Sequence, residues 1–251
     1  MKIDCIIHAG GQGERLRPIT LQLPKPLILV GIDPKPMIYW SMMPAIKAGV
    51  EKFVITTNYL SDKVEEYFKS KDWSGFDITI FKEPKHLGRA GSTKYCIDSG
   101  IIDGKNLILM QNAADITRSI ISELVKDHVE QAKKFGYDVT VVAARKCVIP
   151  SSKVRFNPKT RSVLSFERKP LHTWQEGESS HVGMFLFEPK ALKRFDKIPI
   201  PSDPEESVIL DIIKEKKANI FLTDEWIPIK YASDIDTISK INIEKFQQSK
   251  L

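Results

Sequence analysis

The sequence predicts an α/β fold on a mostly parallel central sheet, and three observations predict it. Short β-branched and apolar runs alternate with amphipathic stretches of helical spacing. The first apolar run empties directly into a glycine-rich turn. The chain has 251 residues, 42% hydrophobic and 28% charged, which is enough for one sizeable α/β core.

Ile3–His8 reads as a buried strand ending in Ala9-Gly10-Gly11. Met37–Ala48 carries apolar residues at helical spacing and stops at Gly49. Its segment Met37-Ile38-Tyr39-Trp40-Ser41-Met42-Met43 is read as a core helix rather than an interface, because Met commonly fills gaps in cores. Lys52–Thr57 is a β-branched strand, and Ser61–Lys69 an amphipathic helix with Ser61 as N-cap. Asp77–Phe81, Leu107–Gln111 and Asp138–Ala144 read as strands, and Ala90–Ser99 and Ser119–Lys134 as helices between them. Strands separated by helical patterns are the signature of βαβ units.

After Ala144 the texture changes. Val154–Asn157 and Val163–Glu167 read as short strands around the turn Pro158-Lys159-Thr160. The polar stretch Lys169–Glu178 reads as a mobile loop. Val182–Glu188 and Asn219–Leu222 read as strands, and Glu206–Lys216 as a helix. This half is expected to be a mixed extension of the same sheet, so 1–251 is read as a single domain with halves 1–145 and 146–251.

The net charge is +6 and the pI about 9.0. That surplus suits phosphate-bearing ligands. Its cations are spread without a long basic block and are not interleaved with aromatics, which argues against nucleic acid. Cys5, Cys96 and Cys147 are too widely spaced for a metal motif and fit free thiols in a reducing compartment. The N-terminus lacks a signal peptide's apolar core, and no apolar run approaches the ~20 residues of a membrane span. A cytoplasmic protein with no membrane or nucleic-acid partner is expected.

The most informative stretch is His8-Ala9-Gly10-Gly11-Gln12-Gly13-Glu14-Arg15-Leu16-Arg17-Pro18-Ile19-Thr20. Glycines after a strand let the backbone take positive φ and approach a ligand closely. Successive N–H groups then form an anion-binding concavity, and Arg15 adds a planar fork for phosphate oxygens. A tight strand-to-helix turn explains a bare Gly-Gly-x-Gly equally well. The string is neither a Walker A loop nor the dinucleotide GxGxxG, so a Rossmann oxidoreductase is a poor rival.

Gly10 to Thr20, followed by Pro24-Lys25-Pro26 and Lys35-Pro36-Met37, resembles the signature of the sugar-1-phosphate nucleotidylyltransferases. The likeness continues through Ala48-Gly49-Val50, Thr57-Asn58-Tyr59, Val64–Phe68, Leu87-Gly88-Arg89-Ala90-Gly91 and Asp234-Ile235-Asp236-Thr237. It covers nearly the whole chain and implies a Rossmann-like three-layer nucleotidyltransferase fold, catalytic domain only. The halves 1–145 and 146–251 would then bind nucleotide and acceptor respectively.

In that family a sugar 1-phosphate oxygen attacks the α-phosphorus of a nucleoside triphosphate and pyrophosphate leaves. The displacement needs no protein nucleophile, so positioning and charge neutralisation carry it. By match to the family motif, Gly10, Gly11 and Gly13 would cradle the nucleotide, and Arg15 and Lys25 would hold the triphosphate. Gly88 would lie close to the base or ribose and Glu83 near the base edge. Asp115 and Asp234 would hold Mg²⁺, although helix capping is the simpler role for Asp234. Lys169 would reach the sugar phosphate. Homo-oligomers are common in the family.

The acceptor half departs from the family pattern. Asn-Gly-Asp becomes Ala113-Ala114-Asp115, Gly-Thr-Ala-Gly becomes Gly88-Arg89-Ala90-Gly91, and Arg168 stands for the Glu of Glu-Lys-Pro. Lys153 replaces a Gly and His181 an Asn. Arg89, Lys153, Arg168 and His181 share a sign, and three readings remain open. The acceptor carries extra negative charge and these residues bind it; the acceptor site has decayed, leaving a non-catalytic nucleotide-binding homologue with a regulatory or scaffolding role; or the cations face solvent or pair with acids, Glu167, Glu176 and Glu178 being near in sequence.

Overall fold

The computed structural model describes residues 2–145, 151–168 and 178–248. Cys147 and nearly all of the loop expected at Lys169–Glu178 lie outside them. The elements begin with β1 (Ile3–His8), β2 (Leu29–Val30), β3 (Lys35–Pro36), α1 (Met37–Lys47), β4 (Lys52–Thr57), α2 (Ser61–Lys69), β5 (Asp77–Lys82), α3 (Gly88–Asp98), β6 (Leu107–Asn112) and β7 (Ile116–Thr117). They continue with α4 (Ile121–Phe135), β8 (Val139–Ala144), β9 (Lys153–Phe156), β10 (Val163–Glu167), β11 (Glu178–Phe187), α5 (Val208–Lys214), β12 (Ala218–Thr223), β13 (Trp226–Ile227), α6 (Ala232–Ile238) and α7 (Ile243–Gln248). None of the described helices is long and apolar enough to cross a membrane.

The α/β class holds, and the differences from the sequence reading have local causes. Ser61 is the first helical residue of α2, not its cap; Leu60 takes that place with φ 50° and no side-chain cap bond. The helix expected from Glu206 starts at Val208, because Pro204–Glu206 forms a 3₁₀ turn. β11 starts at Glu178 rather than Val182, since its polar beginning Glu178–Ser180 pairs with β9. The pairs β2·β3 and β7·β13 are two residues long, too short for any periodicity to register.

Two compact units form from interleaved segments. A glycine-loop unit comprises Asp4–Lys85, Gln111–Ile121 and Glu225–Leu251; a mixed-sheet unit comprises Met1–Ile3, His86–Met110 and Ser122–Asp224. Each therefore draws on both sequence halves, and the division does not fall at residue 145.

In the glycine-loop unit β4 pairs in parallel with both β1 and β5. The inner positions of β1 and β4 are buried throughout, which is why these strands read as continuous apolar runs rather than alternating ones. α1 buries Met37, Ile38, Trp40, Ser41 and Met42, as the core-helix reading expected. It ends at Gly49, whose φ of 83° admits a glycine without strain. A buried cluster of Leu16, Ile28, Val30, Trp40, Ala114, Ile229 and Ile243, among others, ties the glycine loop to the C-terminal segment.

In the mixed-sheet unit β8 lies between β11, antiparallel, and β12, parallel. β9 and β10 extend this sheet with antiparallel pairs, so the change of texture after Ala144 marks the change to mixed pairing. The β11·β8 register shifts between His181 and Met184, at Gly183 with φ 87°, as a bulge requires.

α3 enters this unit through Gly88 at φ +71°. Its first turn is held by Ser202, whose carbonyl accepts from Ala90 N at 2.9 Å and whose N–H donates to Leu87 O at 2.9 Å. A Cβ on Gly88 would lie 2.4 Å from the Ser202 carbonyl oxygen. Backbone cannot yield as a flexible side chain can. Gly88→Ala is therefore expected to destabilise the unit by about 3 kcal/mol, combining steric overlap with a left-handed backbone. Urea unfolding monitored by circular dichroism checks this; a loss under about 0.5 kcal/mol would show that the helix entry relaxes freely.

Candidate functional site

The glycine loop leaves the sheet at the carboxyl end of β1, where α/β sheets present ligands. A Cβ on Gly10 would sit 3.0 Å from Asn58 N and 3.3 Å from Glu83 Oε1. The segments following β1, β4 and β5 thus converge here, and Glu83 stands beside the loop. Gly13 takes φ +63°, and a Cβ there would lie 2.9 Å from Thr20 Cγ2 and 3.2 Å from Lys25 Cβ. The Gly13 carbonyl accepts from Thr20 Oγ1 at 2.9 Å and from Leu16 N at 2.8 Å. Tyr59 adds a bond from its hydroxyl to Thr20 O at 2.9 Å. Buried Leu16 and Thr20 anchor the loop from beneath. Gly11 stays exposed, with open space where its Cβ would be. The result is a braced turn whose backbone is accessible at Gly11, with exposed Arg15 beside it.

Lys25 lies under this turn. Its Nζ donates to Ile229 O at 2.6 Å, bridging 204 positions of sequence. Burial pushes its pKa down to about 8; Asp115 and Asp234 pull upward, while Lys230 and Arg15 push down. Arg15, Lys25, Asp115, Lys230 and Asp234 therefore act on one electrostatic neighbourhood, all within the glycine-loop unit. Arg15 also stands over the Tyr231 ring, 5.9 Å from its centroid.

The two aspartates are held differently. Asp115 is buried, its Oδ1 accepting from Trp226 Nε1 at 3.1 Å and its Oδ2 from Asn112 Nδ2 at 2.8 Å. Asp234 is the third residue of α6 and completes a capping box. Its Oδ2 accepts from Lys230 N at 2.6 Å and Tyr231 N at 2.8 Å. The capping role is thus real, and it orients the carboxylate without using Oδ1 in these bonds. Among the described residues no group of three or more His, Cys, Asp or Glu side chains gathers as a metal cage. Two carboxylates with hard oxygen donors still fit Mg²⁺, which is commonly held by one or two carboxylates together with phosphate oxygens and water.

Sequence reasoning missed Asn112, Trp226, Lys230 and Tyr231. Asn112 was within reach, since it stands three positions before Asp115 in the altered motif. The others lie more than 100 positions from Asp115 and carried no signal of their own. Ala114 joins the buried cluster, so the residue replacing the family's glycine is accommodated by packing.

Gly88, Arg89, Lys153, Arg168 and His181 fall in the mixed-sheet unit, and Lys169 lies outside the described residues. Among the described residues Arg89, Lys153, Arg168 and His181 each stand beside an acid, the last of the three readings left open by the sequence. Arg89 bonds Asp203 Oδ1 at 3.2 Å and Glu205 Oε2 at 2.6 Å, and its backbone N–H donates to Asp203 as well. Arg168 bonds Asp203 Oδ2 at 2.7 Å and also Glu206. Lys153 is buried against Glu178 at 2.9 Å, with Glu167 at 3.8 Å. His181 Nδ1 lies 3.5 Å from Glu205 Oε1, and its ring stacks on Phe185 at 4.4 Å.

Arg89, Lys153 and Arg168 thus meet five carboxylates, one of which, Glu178, also bonds Arg155 at 3.1 Å. Burial disfavours the Arg89 charge, and Glu205 and Asp203 overcome it, holding the guanidinium above its ordinary range. Burial likewise opposes ionisation of Glu205 and Asp203, but Arg89 outweighs it in both, and their pKa values fall. The pairing reading left open by the sequence is the one this geometry supports, with Glu178 and Glu167 among the acids.

Removing one buried partner leaves the other charge uncompensated. Glu205→Gln is expected to cost about 3 kcal/mol, the low end for breaking a buried pair because Asp203 remains. Chemical denaturation at pH 7 reads this. An unchanged midpoint would mean that Arg89 is solvated rather than held.

The sequence profile of the family described as "Nucleotidyl transferase" matches residues 4–238. The chain is 31% identical over 98% of its length to a probable mannose-1-phosphate guanylyltransferase 2 of Oryza sativa subsp. japonica, covering 66% of that protein. It is 28% identical over 99% of its length to the mannose-1-phosphate guanyltransferase of Schizosaccharomyces pombe, again covering 66%. The curated relatives are thus longer than this chain, which spans 55% of a third, the probable mannose-1-phosphate guanylyltransferase 3 of rice. A putative glucose-1-phosphate thymidylyltransferase from Bacillus anthracis has the same fold, with a TM-score of 0.78, 19% identity, and coverage of 99% of this chain and 97% of that one. Matched over residues 4–238, nearly its whole length, the chain belongs to the nucleotidyl transferase family.

Proposed function

We propose that this protein transfers a nucleoside monophosphate from a nucleoside triphosphate to a sugar 1-phosphate, releasing pyrophosphate. The observation that carries the reading is the gathering of Arg15, Lys25, Asp115 and Asp234 around the braced glycine loop of one unit. Backbone N–H groups at Gly10, Gly11 and Gly13 cradle phosphate oxygens. Lys25 gives up its bond to the Ile229 carbonyl, or shares it, to neutralise the charge that develops on the leaving pyrophosphate. Arg15, exposed beside the loop, closes on the outer phosphates. Glu83 accepts a hydrogen bond from the base edge.

Asp115 and Asp234 would hold Mg²⁺, which when bound neutralises charge on the transferring phosphoryl group. Trp226 and Asn112 keep the Asp115 carboxylate oriented, and the backbone of Lys230 and Tyr231 does so for Asp234. Such supporting bonds matter for metal sites as much as the ligands do.

For the acceptor, the paired cations of the mixed-sheet unit remove the argument for extra negative charge. An ordinary hexose 1-phosphate is the acceptor proposed here. The names of the relatives make GTP with mannose 1-phosphate the first pair to assay, and dTTP with glucose 1-phosphate the second.

Pyrophosphate release with Mg²⁺ tests this over a panel of nucleoside triphosphates crossed with hexose 1-phosphates. Acceptor-dependent release is expected, together with a fall of about 10²–10³ in kcat for Asp115→Asn, in line with the removal of one electrostatic stabiliser. Nucleotide binding without release across the whole panel would sink the enzyme reading and favour a regulatory or scaffolding homologue.

A further inference from the structure

Arg15, Lys25 and Lys230 act on one electrostatic neighbourhood of the glycine-loop unit, yet the proposed transfer engages only the first two. Lys230 is half-buried, and its side chain forms no ion pair among the described residues. Its ammonium lies over the face of Trp226, 5.1 Å from the ring centroid. The edge of the same ring carries Nε1, which donates to Asp115 Oδ1 at 3.1 Å. The backbone N–H of Lys230 donates to Asp234 Oδ2 at 2.6 Å. Lys230 is therefore placed by the groups that also hold both candidate metal carboxylates.

That placement is unfavourable by itself. Three cations crowd a neighbourhood that holds the carboxylates Asp115 and Asp234. Like charges disfavour one another's charged forms, and a ring face gives an ammonium only a modest attraction. An anion brought to Lys230 would relieve the crowding.

The direction of the side chain indicates which anion. Tyr231 has extended backbone, φ −131° and ψ 167°, and successive side chains on extended backbone point to opposite sides. Their contacts differ accordingly. The Tyr231 ring meets Arg15, whose guanidinium is 5.9 Å from its centroid, whereas Lys230 turns to Trp226, the ring that holds Asp115. Arg15 belongs with the leaving phosphates, and an in-line displacement sets the attacking oxygen opposite the leaving one. The attacking group is the acceptor's phosphate, which carries about −1.5 to −2 charge at pH 7. In the mixed-sheet unit Arg89, Lys153 and Arg168 are engaged by carboxylates, and Lys169 lies outside the described residues. Lys230 is a cation still available to that phosphate.

We propose that Lys230 binds the phosphate group of the acceptor, its ammonium resting on Trp226 until that dianion arrives. The identity of the acceptor rests on the proposed transfer reaction; the phosphate site itself can be measured without turnover.

The probe is radiolabelled inorganic phosphate, followed by equilibrium dialysis against protein whose glycine loop is filled by Mg²⁺ and inorganic tripolyphosphate. One saturable site is expected. Lys230→Gln should weaken phosphate about tenfold, the scale of one charge-assisted contact, without weakening tripolyphosphate. Lys230→Arg, which keeps the charge, should recover most of the affinity. In pyrophosphate-release assays Lys230→Gln should raise the KM for the hexose 1-phosphate by a similar factor and leave that for the nucleoside triphosphate unchanged. Phosphate affinity indifferent to Lys230→Gln, equal losses for phosphate and tripolyphosphate, or no saturable phosphate site would overturn the proposal. Lys230-dependent phosphate binding with no release from any substrate pair would refute the transfer reaction alone and leave this site standing.

Discussion

The glycine-loop unit is organised around a half-buried ammonium. Holding the Lys25 charge away from water is unfavourable unless other groups compensate, and here they come from distant parts of the chain. Ile229 offers a carbonyl at 2.6 Å, and Asp115 and Asp234 supply opposing charge. Those aspartates need positions of their own, which Trp226, Asn112 and the α6 capping box provide. The buried cluster from Leu16 to Ile243 brings these segments together. The compensation is incomplete: burial still lowers the Lys25 pKa to about 8, below the 10.5 of an unfolded chain. Between those values the unfolded state binds more protons, so this group's contribution to stability rises with pH there. Below about 8 the full cost of the buried charge is carried. A polyphosphate would supply the missing negative charge, which links the stability of this cluster to the ligand it is proposed to bind.

Much of this architecture was legible in the sequence. Strands buried on both faces are continuous apolar runs, and β1, β4 and β8 stand out for that reason. The glycine loop was legible because Gly13 must take a left-handed φ against Thr20 and Lys25, so its residue type records its geometry. Arg15 was legible beside the glycines as a planar fork for phosphate, whereas Lys25 and both aspartates were reached through their likeness to a family motif.

What was not legible depends on contacts remote in sequence. Arg89 and Arg168 looked like cations awaiting a ligand, because their partners Asp203, Glu205 and Glu206 lie 35 to 116 positions away. Nothing in the neighbourhood of Arg89 signals that a loop ending in Pro204-Glu205-Glu206 will fold over it. Glu178, in contrast, was near enough in sequence to be named as a partner, and it is the acid that Lys153 meets. The interleaving of the two units was hidden for the same reason: the return of Glu225–Leu251 to the glycine-loop unit is a property of tertiary packing.

The central claim is that Lys25 is a desolvated cation kept for phosphate, and proton uptake on nucleotide binding tests it most directly. Calorimetric titration of Mg²⁺ and GTP at pH 8, in buffers of differing ionisation enthalpy, measures that uptake. With a pKa of about 8 in the free protein, about half a proton per site should be taken up on binding, and Lys25→Arg, charged at any working pH, should abolish the uptake. Binding with no proton linkage in the unaltered protein, or with the same linkage in Lys25→Arg, would contradict the account.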